Sequence, residues 1–251
     1  MHNILVLDTE TTSLDKPFCY DISWVIYDTE NNATVHYRVN VVEQIWHNLP
    51  LFESAYYKEK RQKYILMMRR HEAIMEKWGN IMRKLARDIE KYEITEVYAY
   101  NSPFDDKTIA YNCDWFKTLN PLDNVAVYDI YGYASEFITG TSVYKTFCEN
   151  NNLFTDKGNY QGNAEAVYKY ITNNVDFIEE HMGIFDSKIE TEILLACIAR
   201  GAEWATDYKV VKILPRLIKH PFTIKINGEE KLRGEYVKLY ARNGVYNFKT
   251  E

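Results

Sequence analysis

The chain has 251 residues, 46% hydrophobic and 15% aromatic, which is enough to fill the core of one large domain or two small ones and too apolar for a disordered chain. Its net charge of -6 excludes a protein that coats nucleic acid indiscriminately, and no apolar run approaches the ~20 residues of a membrane span. No basic and apolar leader opens the sequence, so the expectation is a soluble, cytoplasmic protein with no membrane partner.

Asn3-Ile4-Leu5-Val6-Leu7 reads as a strand buried on both faces, the central strand of a mixed sheet. It stops at Asp8-Thr9-Glu10, two acids whose spacing puts them on one side of an extended backbone, where they repel each other unless a cation lies between. A hard divalent ion such as Mg²⁺ or Mn²⁺ suits such a pair. Taken alone, the same Asp-x-Glu is an acidic strand end leading into a turn. Residues 20–27 and 34–42, rich in β-branched and aromatic types around a turn at 28–32, predict a meander with the first strand. In the second of these, His36, Arg38 and Asn40 alternate with Val35, Tyr37, Val39 and Val41, as on a strand with one face in water. Cys19, Cys113, Cys148 and Cys197 are scattered without a Cys-x-x-Cys pair, which predicts buried thiols.

From 54 to 91 the period changes to that of a helix. Ile74, Trp78, Ile81, Met82, Leu85 and Ile89 step by three and four, while Lys63, Arg70, Lys77, Lys84 and Lys91 recur every seven residues as a second stripe, with Gly79 a weak point. Between 58 and 91 eleven basic residues face five acidic ones. The stripe, with Arg70, Lys77 and Lys84 at its centre, is either a solvated face whose lysine stems shield the apolar one or a row that tracks phosphates.

Residues 96–100 form a further strand running into Asn101-Ser102-Pro103-Phe104-Asp105-Asp106, a helix start with Ser102 as cap and Asp105 three residues on. A fifth strand follows at 125–130, then helices at 142–150 and 164–172, the latter capped by Asn163. A last helix over 186–200 carries Ile189, Ile193 and Cys197 on one stripe. The tail is strand-like at 222–226, 236–240 and 245–248, with a hairpin turn at Arg242-Asn243-Gly244-Val245. The expected organisation is an α/β domain over 1–200 and a small β appendage over 201–251.

Three acidic pieces thus fall in order. Asp8-Thr9-Glu10-Thr11-Thr12 after a buried strand, Asn101-x-x-Phe104-Asp105, and His181-x-x-x-x-Asp186 resemble the three motifs of the DEDD exonuclease superfamily. His181, with Met182 where the DEDDy branch has Tyr, resembles the DEDDh branch, and residues 160–195 are similar to its phage-type members. The resemblance covers 1–200 and implies a ribonuclease H-like mixed sheet flanked by helices. It also implies a 3′-to-5′ exonuclease that uses two Mg²⁺ or Mn²⁺ ions to release nucleoside 5′-monophosphates from nucleic acid 3′ ends, single-stranded DNA before RNA. By the same resemblance Asp8 bridges both ions, Glu10 and Asp186 hold one, Asp105 holds the other through water, and His181 is the general base in a loop that Gly183 leaves mobile. Leu14 then meets the last base, the backbone amides near Thr11 meet the 3′ hydroxyl, and Asn101 is a further substrate-binding residue; Ser13 stands where relatives often carry Gly. Asp15, Asp106 and Glu190 read as solvated or supporting.

Singly, each residue has a plainer reading: Asp105 as a helix cap, Asp186 as a first-turn acid favoured by the helix dipole, His181 as a packing histidine. A reading from another class is a nucleic-acid- or partner-binding module that keeps the fold without the chemistry, such as a proofreading or adaptor subunit. The presence of all four acids and the histidine counts against it. Oligomeric state is not legible in the sequence.

Overall fold

The computed structural model describes residues 2–210 and four strands of the tail. β1 (Asn3–Thr11), β2 (Cys19–Asp28), β3 (Ala33–Val42), β4 (Ile74–Glu76), β5 (Glu96–Ala99) and β6 (Ala126–Asp129) form one sheet in the order β4-β3-β2-β1-β5-β6. Only β2 runs against the rest, antiparallel to β1 and β3, while the β1–β5, β5–β6 and β3–β4 pairs are parallel. A meander continued by parallel strands is the ribonuclease H-like arrangement expected from the sequence.

Between β3 and β4 lie α1 (Glu43–Trp46), α2 (Leu49–Phe52), a 3₁₀ turn (Lys58–Lys60) and α3 (Arg61–Arg69). α4 (Trp78–Lys91) leads into β5 and α5 (Ser102–Phe116) follows it. After β6 come α6 (Ile130–Ala134), α7 (Ser142–Asn150), α8 (Ala164–Thr172) and α9 (Gly183–Ile198). The alternation along β1 divides the core: Leu5 and Leu7 join Trp24, Trp78, Leu85 and Ile109, whereas Ile4 and Val6 join Tyr98, Tyr144, Ile193 and Leu194. Helices thus cover both faces, which is why the run from Ile4 to Leu7 in β1 is apolar without a break. All four cysteines are buried and free, and among the described residues no helix is long and apolar enough to cross a membrane.

The helix expected over 54–91 is interrupted. The chain turns at His71, whose φ is +59, and Ile74, Met75 and Glu76 pair with Asn40, Val41 and Val42 at the sheet edge. Backbone pairing with β3 overrides a side-chain spacing that happens to be helical, and Ile74 is 46% exposed. The seven-residue stripe therefore does not share one face. Lys63 on α3 pairs with Glu180, Arg70 caps the end of α3, Lys77 precedes α4, and Lys84 pairs with Glu76.

β3 also departs from its expected alternation: Val35 and Tyr37 are exposed, while Asn40 is buried with its amide donating to the Ile22 carbonyl at 3.0 Å. The cause is Asp88 on α4, 1% exposed, which accepts from Trp24 Nε1 at 3.1 Å and from Arg38 Nε at 2.6 Å, drawing the polar side of β3 onto the helix. In the tail, Thr223–Ile226 pairs with Glu229–Leu232 and Val237–Arg242 with Val245–Thr250. The expected turn at Asn243 and Gly244, with Phe222 and Tyr236, lies outside the described residues.

Candidate active site

β1 fixes Asp8 and Glu10 on the same face as Ile4 and Val6, the face on which α9 packs. α9 begins at Gly183, so Asp186 falls in its first turn, 5% exposed, and His181 sits two residues before the helix. Glu10, His181 and Asp186 each offer a ligand atom, all within 4.8 Å of one another. Asp105 reaches β1 from α5, its Oδ1 accepting from the Thr9 amide at 3.0 Å and the Thr9 hydroxyl at 2.7 Å. It does not cap its helix. The N-cap is Asn101, in the left-handed region at φ 64, and Ser102 is already helical. Capping falls to Asp129, whose Oδ1 accepts from the Asn101 amide at 2.8 Å, from that of Ser102 at 3.3 Å and from that of Tyr131 at 3.0 Å.

The remaining expected residues surround this group. Leu14 is 76% exposed, Asn101 is exposed, and the Thr11 hydroxyl donates to the Ser13 carbonyl at 3.2 Å. Ser13 closes its own turn, its hydroxyl donating to the Lys16 carbonyl at 3.0 Å and accepting from the Lys16 amide at 3.1 Å, in a loop where no residue needs glycine's positive φ. Asp15 and Asp106 are exposed.

Three further acids meet the group, two of which carried no motif. Glu190, one turn after Asp186, is 3% exposed and accepts from the Tyr100 amide at 3.2 Å. Asp21, directly opposite Glu10 on β2 and fully buried, accepts from Ser23 Oγ at 2.7 Å, from the Gly183 amide at 2.9 Å and from the Tyr64 hydroxyl. Glu179 Oε2 lies 3.7 Å from His181 Nδ1. Gly183 serves this packing rather than loop freedom: a Cβ there would stand 3.0 Å from Ser23 Cβ, 3.1 Å from Asp21 Oδ2 and 3.2 Å from the Asp8 carbonyl oxygen.

Acids crowded away from water hold their protons. Burial, then the charges of Glu190, Asp105, Asp186 and Glu10, pushes Asp8 well above the usual carboxylate range. Burial likewise raises Glu10 to about 8, Asp186 to about 9, Asp105 to about 7 despite its bonds from Thr9, and Glu179 to about 7. Burial lowers His181, with Lys60 adding to the effect. Asp8 Oδ2 and Asp186 Oδ1 are buried without a hydrogen-bond partner. Orphaned carboxylate oxygens among mutually repelling acids fit a divalent cation, which prefers hard oxygen donors.

A stability test follows. Without metal, the folded protein keeps protons that the unfolded chain releases at its ordinary values of 3.8 to 4.5. The stability this confers is complete below those values and is lost as pH rises through about 7 to 9. In EDTA, Tm is expected to fall across that range, and saturating Mn²⁺ to flatten the fall; calorimetry with and without the ion checks both.

No protein-family model matches the chain, and no curated protein matches it. Among solved structures it is similar to E. coli exonuclease I in complex with a dT13 oligonucleotide, at 14% identity over 80% of this chain and 41% of that one, with a TM-score of 0.49. It is similar also to the nuclease domain of 3′hExo, a DEDDh family member bound to rAMP, at 12% identity over 79% and 92% of the two chains and a TM-score of 0.48. A full-length 3′-exonuclease matches at 11% identity over 92% and 67%, with a TM-score of 0.48. The chain spans about two fifths of the length of exonuclease I. At these identities and TM-scores the fold rests on the strand order, and the chemistry on the residues themselves.

Proposed function

We propose that the protein is a metal-dependent 3′-to-5′ exonuclease that hydrolyses phosphodiester bonds at the 3′ ends of single-stranded nucleic acid, DNA in the first instance, releasing nucleoside 5′-monophosphates. The observation that carries the reading is the convergence of Glu10, His181 and Asp186 within 4.8 Å, beside Asp8 and its unpartnered Oδ2.

Asp8, Glu10, Asp105 and Asp186 would hold two Mg²⁺ or Mn²⁺ ions. Such ions, when bound, supply the Lewis acidity that makes water a nucleophile at neutral pH and stabilises a departing 3′ oxygen. His181 takes the proton of the attacking water: burial and Lys60 keep its imidazole neutral, the form that can accept one. Asp105, held by Thr9, fixes the α5 side of the site. Exposed Leu14 offers an apolar surface on which a splayed terminal base can stack whatever its identity. Thr11 and Asn101 flank the terminal sugar. Arg70 and Lys77 are exposed and available to phosphates, although not on one helix face. Residues 1–200 form the nuclease unit in this reading, and 201–251 an appendage.

The direct test is digestion of matched DNA and RNA oligonucleotides labelled at the 5′ end. Stepwise shortening with Mg²⁺ or Mn²⁺, abolished by EDTA, is the expected result; equal rates with and without chelator would remove the mechanism, and the matched pair assigns the sugar.

A further inference from the structure

The segment between β3 and β4 carries no motif, yet it reaches the candidate base. Tyr57, where the chain enters the 3₁₀ turn, stacks on His181 with ring centroids 4.1 Å apart and planes 13° from parallel. The same segment touches the histidine's loop again where Lys63 pairs with Glu180, and is tied to it through β2, where Tyr64 donates to the Asp21 carboxylate that also receives the Gly183 amide. His181 itself sits in the left-handed region at φ 49, a conformation that persists only where the surroundings impose it. Burial, then the charges of Glu10 and Glu179, pushes the Tyr57 phenol up.

Resting on the nuclease reading above, we propose that Tyr57 is a positioning residue whose ring, stacked on the imidazole, holds His181 over the Glu10–Asp186 pair. A base must lie within hydrogen-bond reach of the proton it takes, and a histidine on an irregular segment would otherwise rotate about two side-chain bonds. The flat contact with Tyr57 closes one face of the ring and leaves its edges for the acids. Glu179 Oε2, 3.7 Å from Nδ1, faces one of those edges. The work falls to the ring of Tyr57 and not to its hydroxyl, so phenylalanine should replace it.

Two measurements on the full chain test this. In the metal-free protein, the His181 ring protons, assigned by comparison with His181→Asn, are expected upfield of their positions in the unfolded chain because they lie over the face of Tyr57. Tyr57→Leu should move them back and Tyr57→Phe should not. In Mn²⁺-dependent digestion, Tyr57→Leu is expected to lower kcat by about 10- to 100-fold with KM nearly unchanged, and Tyr57→Phe to restore it. An unshifted His181 in the wild-type spectrum overturns the proposal without any variant. So does a Tyr57→Leu enzyme that keeps its kcat or loses only KM. A wild-type chain with no metal-dependent nuclease activity overturns the functional reading, and the positioning role with it.

Discussion

Asp186→Asn is expected to lower kcat on a labelled oligonucleotide by on the order of 10³-fold or more, while making the metal-free protein harder to melt. The two effects have one origin. Asp186 stands 5% exposed, and burial, then the charges of Glu179, Glu10 and Asp21, raises it to about 9. An asparagine of the same shape relieves that repulsion but cannot serve as an anionic ligand. Relief of about 1 kcal/mol raises Tm by ~2–4 °C in a chain of this size. Thermal melts in EDTA, set beside initial rates in Mn²⁺, check both signs together. A variant that keeps its activity, or one that melts earlier without metal, contradicts the account of the acids as a strained cation cradle.

Asp21→Ala carries the largest expected loss of stability. The carboxylate receives Ser23 Oγ at 2.7 Å, the Gly183 amide at 2.9 Å and the Tyr64 hydroxyl, and it is fully buried. Removal strands three donors where water does not reach, at about 1–3 kcal/mol each, or about 3–9 kcal/mol in all. That corresponds to a drop of roughly 10 °C or more in Tm. Asp21→Asn keeps one acceptor and should fall between. Because Gly183 opens the helix that bears Asp186, kcat should fall in both variants even at temperatures where they are folded. A melt within about 2 °C of wild type would show that the three donors have other acceptors.

What the sequence made legible follows from which forces are local. The alternation that places Asp8 and Glu10 together is a property of one strand, and so is the cap of Asn163, whose side chain accepts from the Ala166 amide at 3.3 Å. The helices at 142–150 and 164–172 and the stripe of Ile189, Ile193 and Cys197 are likewise local patterns, and the structure has them. Ile74 misled because its spacing from Trp78 is helical while its backbone belongs to β3, a partner more than thirty residues earlier. Asp21 and Glu179 carried no signal. An acid inside an apolar strand, or in a loop before a helix, looks ordinary until the fold brings Glu10 and His181 to it. Ser102 looked like a cap because its own sequence fits one, but Asp129 arrives from a neighbouring strand and takes the amides first.

α9 supplies Asp186 and Glu190, and the turn before it supplies His181 and Glu179, whereas Asp8 and Glu10 are made at the very start of the chain. A nascent polypeptide therefore synthesises part of the candidate site first and waits for some 170 further residues before the rest exists. Under the proposed function, prematurely terminated products would be harmless to the nucleic acids around them, and hydrolytic power would arrive only once α9 docks.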